Sequence, residues 1–268
     1  MSVKICALQL GTLPLSDSRL DYYLDLAHTE GAKIVLLGEY VINSFFTELL
    51  TMPKSMIKEQ SEQKKRALSE FSAKYDLNII APIVLEKGGK LFKQMAHFSA
   101  AKVKLRSAAA LMPYSHWNES KFFSNEPKLD IGAFSVDGIK FATLFGFEAH
   151  FDEFWALCRE KKIDCVLLPT ACALGSNARW DALLSTLAFT NNIAILRANR
   201  IGKAKFKENK KEIESEFYGR TMFIDAHGQI TQNLDQKEGM LLSEISKEAL
   251  KDAKKTWEFD KIRSEFIL

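Results

Sequence analysis

Four short runs of this chain are apolar almost throughout: residues 3–10 (VKICALQL), 34–37 (IVLL), 165–169 (CVLLP) and 193–199 (IAILRAN). A run that shows no polar face and is too short for a helix reads as a strand buried on both sides, which requires a sheet covered by other layers. Helical spacing lies between such runs. Residues 16–30 place Leu20, Tyr23, Leu24 and Ala27 on one face and stop at Gly31. Strand, helix and strand in so short a space imply parallel pairing through a right-handed crossover.

The rest of the chain repeats the scheme. Residues 55–75 predict a long charged helix with Ile57, Leu68, Phe71 and Tyr75 inward, leading into a strand over 77–85. Lys87-Gly88-Gly89-Lys90 predicts a hairpin turn into 91–99, and 101–105 adds a further strand. Residues 151–161 and 177–191 predict helices, the former with Phe154, Leu157 and Cys158 inward. Residues 221–233 predict a hairpin around Asp225-Ala226-His227-Gly228, 240–245 a strand, 246–254 a short helix and 256–268 an irregular tail. The two halves are alike and no linker separates them. Two sheets packed face to face with helices outside satisfy both, so residues 1–268 read as one α/β domain of four layers.

Composition removes several function classes. The 268 residues carry a net charge of +3 from interspersed lysines and acids, which gives no nucleic-acid footprint. No apolar run reaches the ~18 residues of a membrane span. Cys6, Cys158, Cys165 and Cys172 sit in or beside apolar runs without a CxxC pair, and the five histidines are scattered, so neither a disulfide framework nor a metal site is expected. The start of the chain lacks a basic segment followed by a cleavage site, and the expected location is the cytoplasm.

Three stretches carry candidate chemistry. Residues 134–136 and 139–145 read as strands joined by Asp137-Gly138, and the second stops abruptly at Gly146-Phe147-Glu148 before a helix begins near Phe151. A strand turning sharply into a helix lifts one residue clear of the sheet, where helix amides receive negative charge and enzymes commonly keep a nucleophile. Here that residue is Gly146. Glu39 ends the strand 34–37, at the carboxyl edge where open α/β sheets place a crevice, beside Tyr40, Phe45 and Phe46. An apolar mouth of this kind would raise its pKa and suit a general base. Residues 111–130 form a long aromatic-rich loop, expected as a pocket wall.

With these residues placed, the chain resembles the nitrilase superfamily, the carbon–nitrogen hydrolases, over nearly its whole length. Leu36-Leu37-Gly38-Glu39-Tyr40 resembles the family's glutamate motif, with Gly38 where proline is usual. Leu111-Met112-Pro113-Tyr114 with Glu119 resembles its lysine loop, and FATLFGFEAHFDEF its cysteine elbow. LLPTA (167–171), RANRIG (197–202), Gly219-Arg220-Thr221 and residues 225–228 match later landmarks in order.

The resemblance implies an α-β-β-α sandwich, a homodimer or higher oligomer against whose partner the tail near 256–268 packs, no cofactor, no metal, and a Glu–Lys–Cys triad. Carried onto this chain, it makes Glu39 the general base and Glu119 a second glutamate. It puts the nucleophile position on Gly146 and the lysine position at about Ala108, since no lysine lies between Arg106 and Ser120. Tyr40, Tyr114, Phe147, Glu148, Thr170 and Cys172 are the expected pocket contacts, and Lys121 is a possible substitute cation.

The leading expectation is therefore a catalytically impaired member that binds a small amine or amide, or serves as a partner subunit. Glycine at an elbow would also relieve backbone strain there. The alternative is an active amidohydrolase cleaving a linear amide or N-carbamoyl amine with displaced groups such as Cys172, with His116 or His150 as a base. A third expectation makes the charged stretch 203–216 a solvated excursion that docks a partner protein. A sulfur or an ammonium found against Glu39 would overturn the reading of lost catalysis and make the hydrolase the reading to keep.

Overall fold

The computed structural model describes residues 2–115, 117–173, 175–208 and 211–266. Two six-stranded sheets make its centre. In the first, β1 (Ser2–Gln9), β2 (Ile34–Leu37) and β3 (Asn78–Lys87) run parallel. They are flanked by antiparallel β14 (Gly239–Ser246) on one side and by β4 (Lys90–Ser99) and β5 (Lys102–Ser107) on the other. In the second, β7 (Ile139–Thr143), β8 (Cys165–Thr170) and β9 (Ala194–Asn199) are parallel. Here β6 (Phe134–Val136) lies at one edge, with β12 (Met222–Ile224) and β13 (Ile230–Asn233) at the other.

The apolar runs explain the layering, because alternate residues of a strand face opposite ways. Ile34 and Leu36 join Ile5 and Ala7 in the core between the sheets, where they meet Phe141, Cys165, Leu167 and Leu196 of the second sheet. Val35 and Leu37 face outward instead, against Leu20 and Leu24 of α1 (Ser18–Thr29) and Leu68 of α3 (Lys54–Lys74). On the far side, Val166 and Leu168 meet Phe154, Trp155 and Cys158 of α5 (Asp152–Glu160) and Leu184 of α6 (Asn177–Asn191). The order is helix, sheet, sheet, helix, as the sequence pattern requires.

One buried side chain ties the layers at the end of β1. The Gln9 amide donates to the carbonyls of Asp235 and Lys237 at 2.7 and 2.6 Å and accepts from Thr221 N–H at 2.8 Å. Gly219 passes beside it with φ +69°, and a Cβ there would fall 2.6 Å from the Gln9 nitrogen. Residue 219 is glycine for both reasons.

Several segments differ from the sequence reading. Residues 203–208 and 211–216, expected as a solvated excursion, lie in a two-stranded hairpin, β10 (Ile201–Glu208) with β11 (Lys211–Tyr218). Alternating charges set Lys203 directly opposite Glu216 and join it to Glu214 at 2.7 Å across the ladder. The tail is helical, not irregular. After α7 (Lys247–Trp257), residue Glu258 turns the chain left-handed and α8 (Phe259–Phe266) follows, with Trp257 and Phe259 stacked 6.2 Å apart. Two single-turn helices also form, α2 (Phe46–Leu49) and α4 (Glu119–Phe122), the latter inside the loop expected over 111–130. Among the described residues no helix is long and apolar enough to cross a membrane.

Because the space between the sheets is filled by side chains with no solvent exposure, its large residues should dominate stability. Phe141→Ala should cost about 3–5 kcal/mol in urea unfolding. The half-exposed Leu129→Ala should cost under about 1 kcal/mol. Equal losses at the two positions would refute the assignment of the core.

Candidate active site

Glu39 follows β2 where the two sheets come together. Its N–H donates to the Thr170 carbonyl at 3.2 Å, and a Cβ on Gly38 would stand 3.1 Å from Arg200 N and 3.3 Å from the Ala198 carbonyl. The proline-to-glycine departure in the glutamate motif thus coincides with a close backbone crossing. The Glu39 side chain turns inward, 4% exposed, and meets three groups.

The first is an ammonium. Lys93 Nζ lies 2.5 Å from Glu39 Oε2 and 2.7 Å from Glu119 Oε1. It is sandwiched between aromatic faces, 5.2 Å from the Tyr40 ring and 5.1 Å from the Phe145 ring. The second is Glu119 itself, fully buried, which also takes a short hydrogen bond from the Tyr40 hydroxyl and one from Met112 N–H at 3.3 Å. The third is Gly146, whose N–H donates to Glu39 Oε1 at 2.9 Å.

This geometry corrects the expectation that the ammonium is missing. Ala108 is indeed buried at the end of β5 and carries no charge, but its N–H donates to the Lys93 carbonyl at 3.0 Å, continuing the β4–β5 ladder. Residues opposite each other in a ladder project to the same face. Lys93 therefore delivers its ammonium to the space that a side chain at 108 would reach, from one strand further along. Asn125 fixes the pair by accepting from Lys93 N–H at 2.9 Å and donating to the carbonyls of Lys93 and Ala108 at 2.7 and 3.1 Å. Lys121, the substitute considered from sequence, is exposed and uses its backbone N–H on Asn118. The signal for Lys93 lay in the alternation of LFKQM, which puts it on the same face as Leu91 and Met95.

Two carboxylates share this one ammonium in a dry site. Burial acts against the charge on Lys93, but Glu119 and Glu39 outweigh it and hold the ammonium well above its usual range. Burial is also the largest influence on Glu39 and raises its carboxyl, opposed by Lys93 and the Gly146 N–H and reinforced by Glu119. Tyr40 is raised well above an ordinary phenol by burial and by the two glutamates, so its hydroxyl stays a donor.

At the elbow, the chain passes from β7 through a 3-10 turn (Gly146–His150) into α5. Glu148 was expected to line the pocket. Instead it is fully buried beneath the turn, accepting from Arg106 at 3.0 and 2.8 Å, from Ala109 N–H at 2.8 Å and from Phe145 N–H at 2.9 Å. Its four donors make it a clamp on the elbow. Gly146 does not occupy the left-handed region, so relief of strain is not why glycine stands there. Space is the constraint: a Cβ would fall 2.9 Å from Thr170 Cγ2 and 3.2 Å from Glu39 Oε1.

Above these groups opens a cavity of about 610 Å³, lined by Glu39, Lys93 and Gly146 at its floor. Of the expected contacts, Tyr114, Phe147, Thr170 and Cys172 reach it; Tyr40, Glu119 and Glu148 stand behind its surface. Cys172 is 7% exposed and its thiol is raised, first by burial, with Arg197 opposing. His150 is exposed and lines the cavity too, with its ring against Trp180 and Nδ1 3.1 Å from the Phe147 carbonyl, and His116 lies outside the described residues. Asn199, unremarked in the sequence, holds the wall by accepting from Thr170 Oγ1 at 2.9 Å and Cys172 N–H at 2.8 Å. Among the described residues no cluster of histidine, cysteine and acidic groups has metal-binding geometry.

The family model for carbon-nitrogen hydrolases matches residues 18–255. The chain belongs to the carbon–nitrogen hydrolase family. Several solved structures share the fold at low identity. A carbon–nitrogen hydrolase from Helicobacter pylori G27 superposes with a TM-score of 0.85 at 16% identity, over 97% of this chain and 95% of that one. An amidase variant of the nitrilase superfamily from Nesterenkonia AN1 gives 0.76 at 18%, over 96% of each. Glutamine-dependent NAD+ synthetase from Acinetobacter baumannii gives 0.79 at 16%, over 93% of this chain and 47% of the synthetase. A sequence comparison with curated proteins gave no match.

Removing the ammonium from this carbon–nitrogen hydrolase should strand two buried carboxylates. Lys93→Met should cost about 3–5 kcal/mol at pH 8, since one partner of a buried ionic network is lost. The Glu39 carboxyl, already raised by burial, would then rise further, so its neutral form fits the fold. Stability kept at low pH would be lost as pH rises through that raised value. Urea unfolding should show a smaller loss near pH 5; equal losses at both pH values would refute the shared ammonium.

Proposed function

We propose that this carbon–nitrogen hydrolase is impaired in covalent catalysis and uses its cavity to bind a small amine or amide, alone or as a partner subunit. The observation that carries this reading is the closed space at Gly146. The family reaction needs an attacking atom at the elbow to form an acyl-enzyme, and here the position has no side chain. The neighbouring Thr170 methyl and Glu39 carboxylate crowd the place where a side chain would begin.

The ammonium against Glu39 satisfies the condition that, on sequence grounds, was to favour the hydrolase. That condition treated sulfur and ammonium as interchangeable, and chemically they are not. Lys93 and Glu39 supply a cation and a base, which polarise and orient a bound amide without forming a bond to it. Losing a nucleophile leaves about 10³–10⁴-fold over water in the best studied hydrolases, from binding and polar donors alone. Polar contacts at the floor and aromatic walls remain suited to holding a small amide or amine.

Two observations favour the active alternative: the Lys93 ammonium lies against Glu39, and Cys172 lines the same cavity, with Arg197 acting to lower its thiol pKa. Burial outweighs that influence, and a thiol held neutral is a poor nucleophile.

Two experiments separate the readings. Against a panel of small amides, N-carbamoyl amines and nitriles, the chain should show saturable binding by calorimetry without robust turnover. Turnover abolished by Glu39→Gln would overturn the proposal, and rapid alkylation of Cys172 that substrate suppresses would point to the alternative. A second test rebuilds the nucleophile. Gly146→Cys alone should stay inactive because the new Cβ meets the Thr170 methyl. Adding Thr170→Ser, which deletes that methyl but keeps the hydroxyl on Asn199, should raise amide turnover by at least about tenfold over Gly146→Cys. Full activity of Gly146→Cys by itself would refute the closed site.

A further inference from the structure

Glu39 and Tyr40 are adjacent in the chain, yet their side chains meet at one point. Glu39 lies against Lys93 and Gly146, while the Tyr40 hydroxyl donates to Glu119 and its ring faces the Lys93 ammonium at 5.2 Å. Successive residues of an extended strand point to opposite faces, so this convergence requires a break in the backbone. The break is at Tyr40 itself, whose φ of +57° lies in the left-handed region. Bulky side chains rarely adopt that conformation, and it persists only where neighbouring groups hold it.

Here the neighbour is a buried guanidinium. Arg200 is 1% exposed, and it donates from Nη1 to the Tyr40 carbonyl at 3.0 Å and from Nη2 to Thr12 Oγ1 at 3.0 Å. The Thr12 hydroxyl in turn donates to the same carbonyl at 3.2 Å, so the Tyr40 oxygen is held by two donors that are bonded to each other. The guanidinium also lies 4.3 Å over the Phe217 ring, and Phe217 stacks on Trp117 of the cavity wall at 6.1 Å. The Arg200 N–H donates to the Thr170 carbonyl at 3.3 Å, the acceptor that also takes the Glu39 N–H. Burial lowers Arg200 to about 10, with Glu48 opposing, so it remains a cation at neutral pH. A planar fork that bonds a carbonyl and a hydroxyl together, with its face on a ring, is a geometry lysine does not reproduce.

Resting on the ligand-binding reading above, we propose that Arg200 is a positioning residue of this site. By holding the Tyr40 carbonyl it keeps the backbone left-handed and brings the Tyr40 hydroxyl onto Glu119. Without that hold, Tyr40 relaxes toward the ordinary region and its hydroxyl leaves Glu119. Glu119 then depends more heavily on Lys93, the ammonium moves away from Glu39, and the polar floor that meets a ligand is no longer preorganised. Arg200 stands behind the cavity surface and acts through Tyr40.

The test reads Tyr40 directly and the ligand separately. Carbon NMR of protein labelled at the tyrosine Cζ gives a signal that Tyr40→Phe removes, which assigns it. That signal should move in Arg200→Met and in Thr12→Val, but stay in place in Leu24→Ala, a core change in the α1 layer. By calorimetry, Arg200→Met should bind pentanamide about tenfold more weakly than the unaltered protein, the size of one charge-assisted hydrogen bond. Arg200→Lys should fall between the two. Combining Arg200→Met with Tyr40→Phe should weaken binding no further than the weaker single variant, because both act through one hydroxyl. A Cζ signal unmoved in Arg200→Met and Thr12→Val, or moved as far in Leu24→Ala, would overturn the assignment, as would losses that multiply in the combined variant. Where Arg200→Met does not fold, Thr12→Val decides on the same readouts, since it keeps the guanidinium and removes its hydroxyl link. Failure of pentanamide to bind the unaltered protein would overturn the binding reading, and the Cζ signal then decides the role of Arg200 alone.

Discussion

The ammonium of Lys93, held between Glu39 and Glu119, is the interaction on which the site depends. Each carboxylate comes from a different part of the chain: Glu39 from the end of a parallel strand, Glu119 from a one-turn helix in a long loop. Neither could be buried alone at neutral pH without a large desolvation cost, and two together would repel. One cation between them makes the burial tolerable and fixes where both elements lie. The loop carrying Met112, Tyr114 and Trp117 is anchored through Glu119, so the aromatic wall of the cavity is positioned by the same charge that occupies its floor.

A second buried ion pair does the corresponding work beneath the elbow. Arg106 and Glu148 meet through two parallel hydrogen bonds, and the remaining capacity of Glu148 goes to the amides of Ala109 and Phe145. The turn after β7 is therefore held by its own glutamate rather than by strain. This distinction matters for Gly146. A residue retained for its backbone freedom would occupy an unusual φ, and Gly146 does not. It is the one position in a rigidly clamped turn where the absence of a side chain lets Thr170 and Glu39 close in. The elbow keeps its shape for a reason independent of the atom that would react there.

Most of the architecture was legible in the sequence because it follows from period and polarity. Runs such as IVLL and CVLLP, apolar at every position, can only be strands with both faces covered, and the alternating inward and outward residues fall in different cores as that requires. What the sequence obscured were features that depend on neighbours distant in the chain. The lysine was sought at Ala108 because motif order runs along the chain, whereas the site is defined across a ladder. Lys93, separated from Ala108 in sequence, is its direct partner in space. Glu148 was misplaced for a similar reason: nearness to Gly146 suggested a pocket residue, but a 3-10 turn rotates the chain by about 120° per residue and carries Glu148 to its buried side. The stretch 203–216 read as solvated because it is charged, yet opposite signs matched across two strands are also how an exposed hairpin is held in register.

The place from which the ammonium comes bears on the proposed role of the glycine elbow. A cation can be supplied from either of two paired strands, because what Glu39 and Glu119 require is a charge at a point and not a particular backbone position. A nucleophile has no such freedom. It needs a fixed distance and approach angle to the bound carbonyl, beside donors that would receive an oxyanion. Cys172 is the nearest thiol by membership of the cavity, but it hangs from the end of β8 with its backbone locked to Asn199 on both sides, its N–H to Oδ1 and its carbonyl to Nδ2. Electrostatics tolerates displacement and covalent geometry does not. On the proposed reading, a site that keeps its buried charges around a glycine elbow holds a ligand, and those charges also anchor the fold around it.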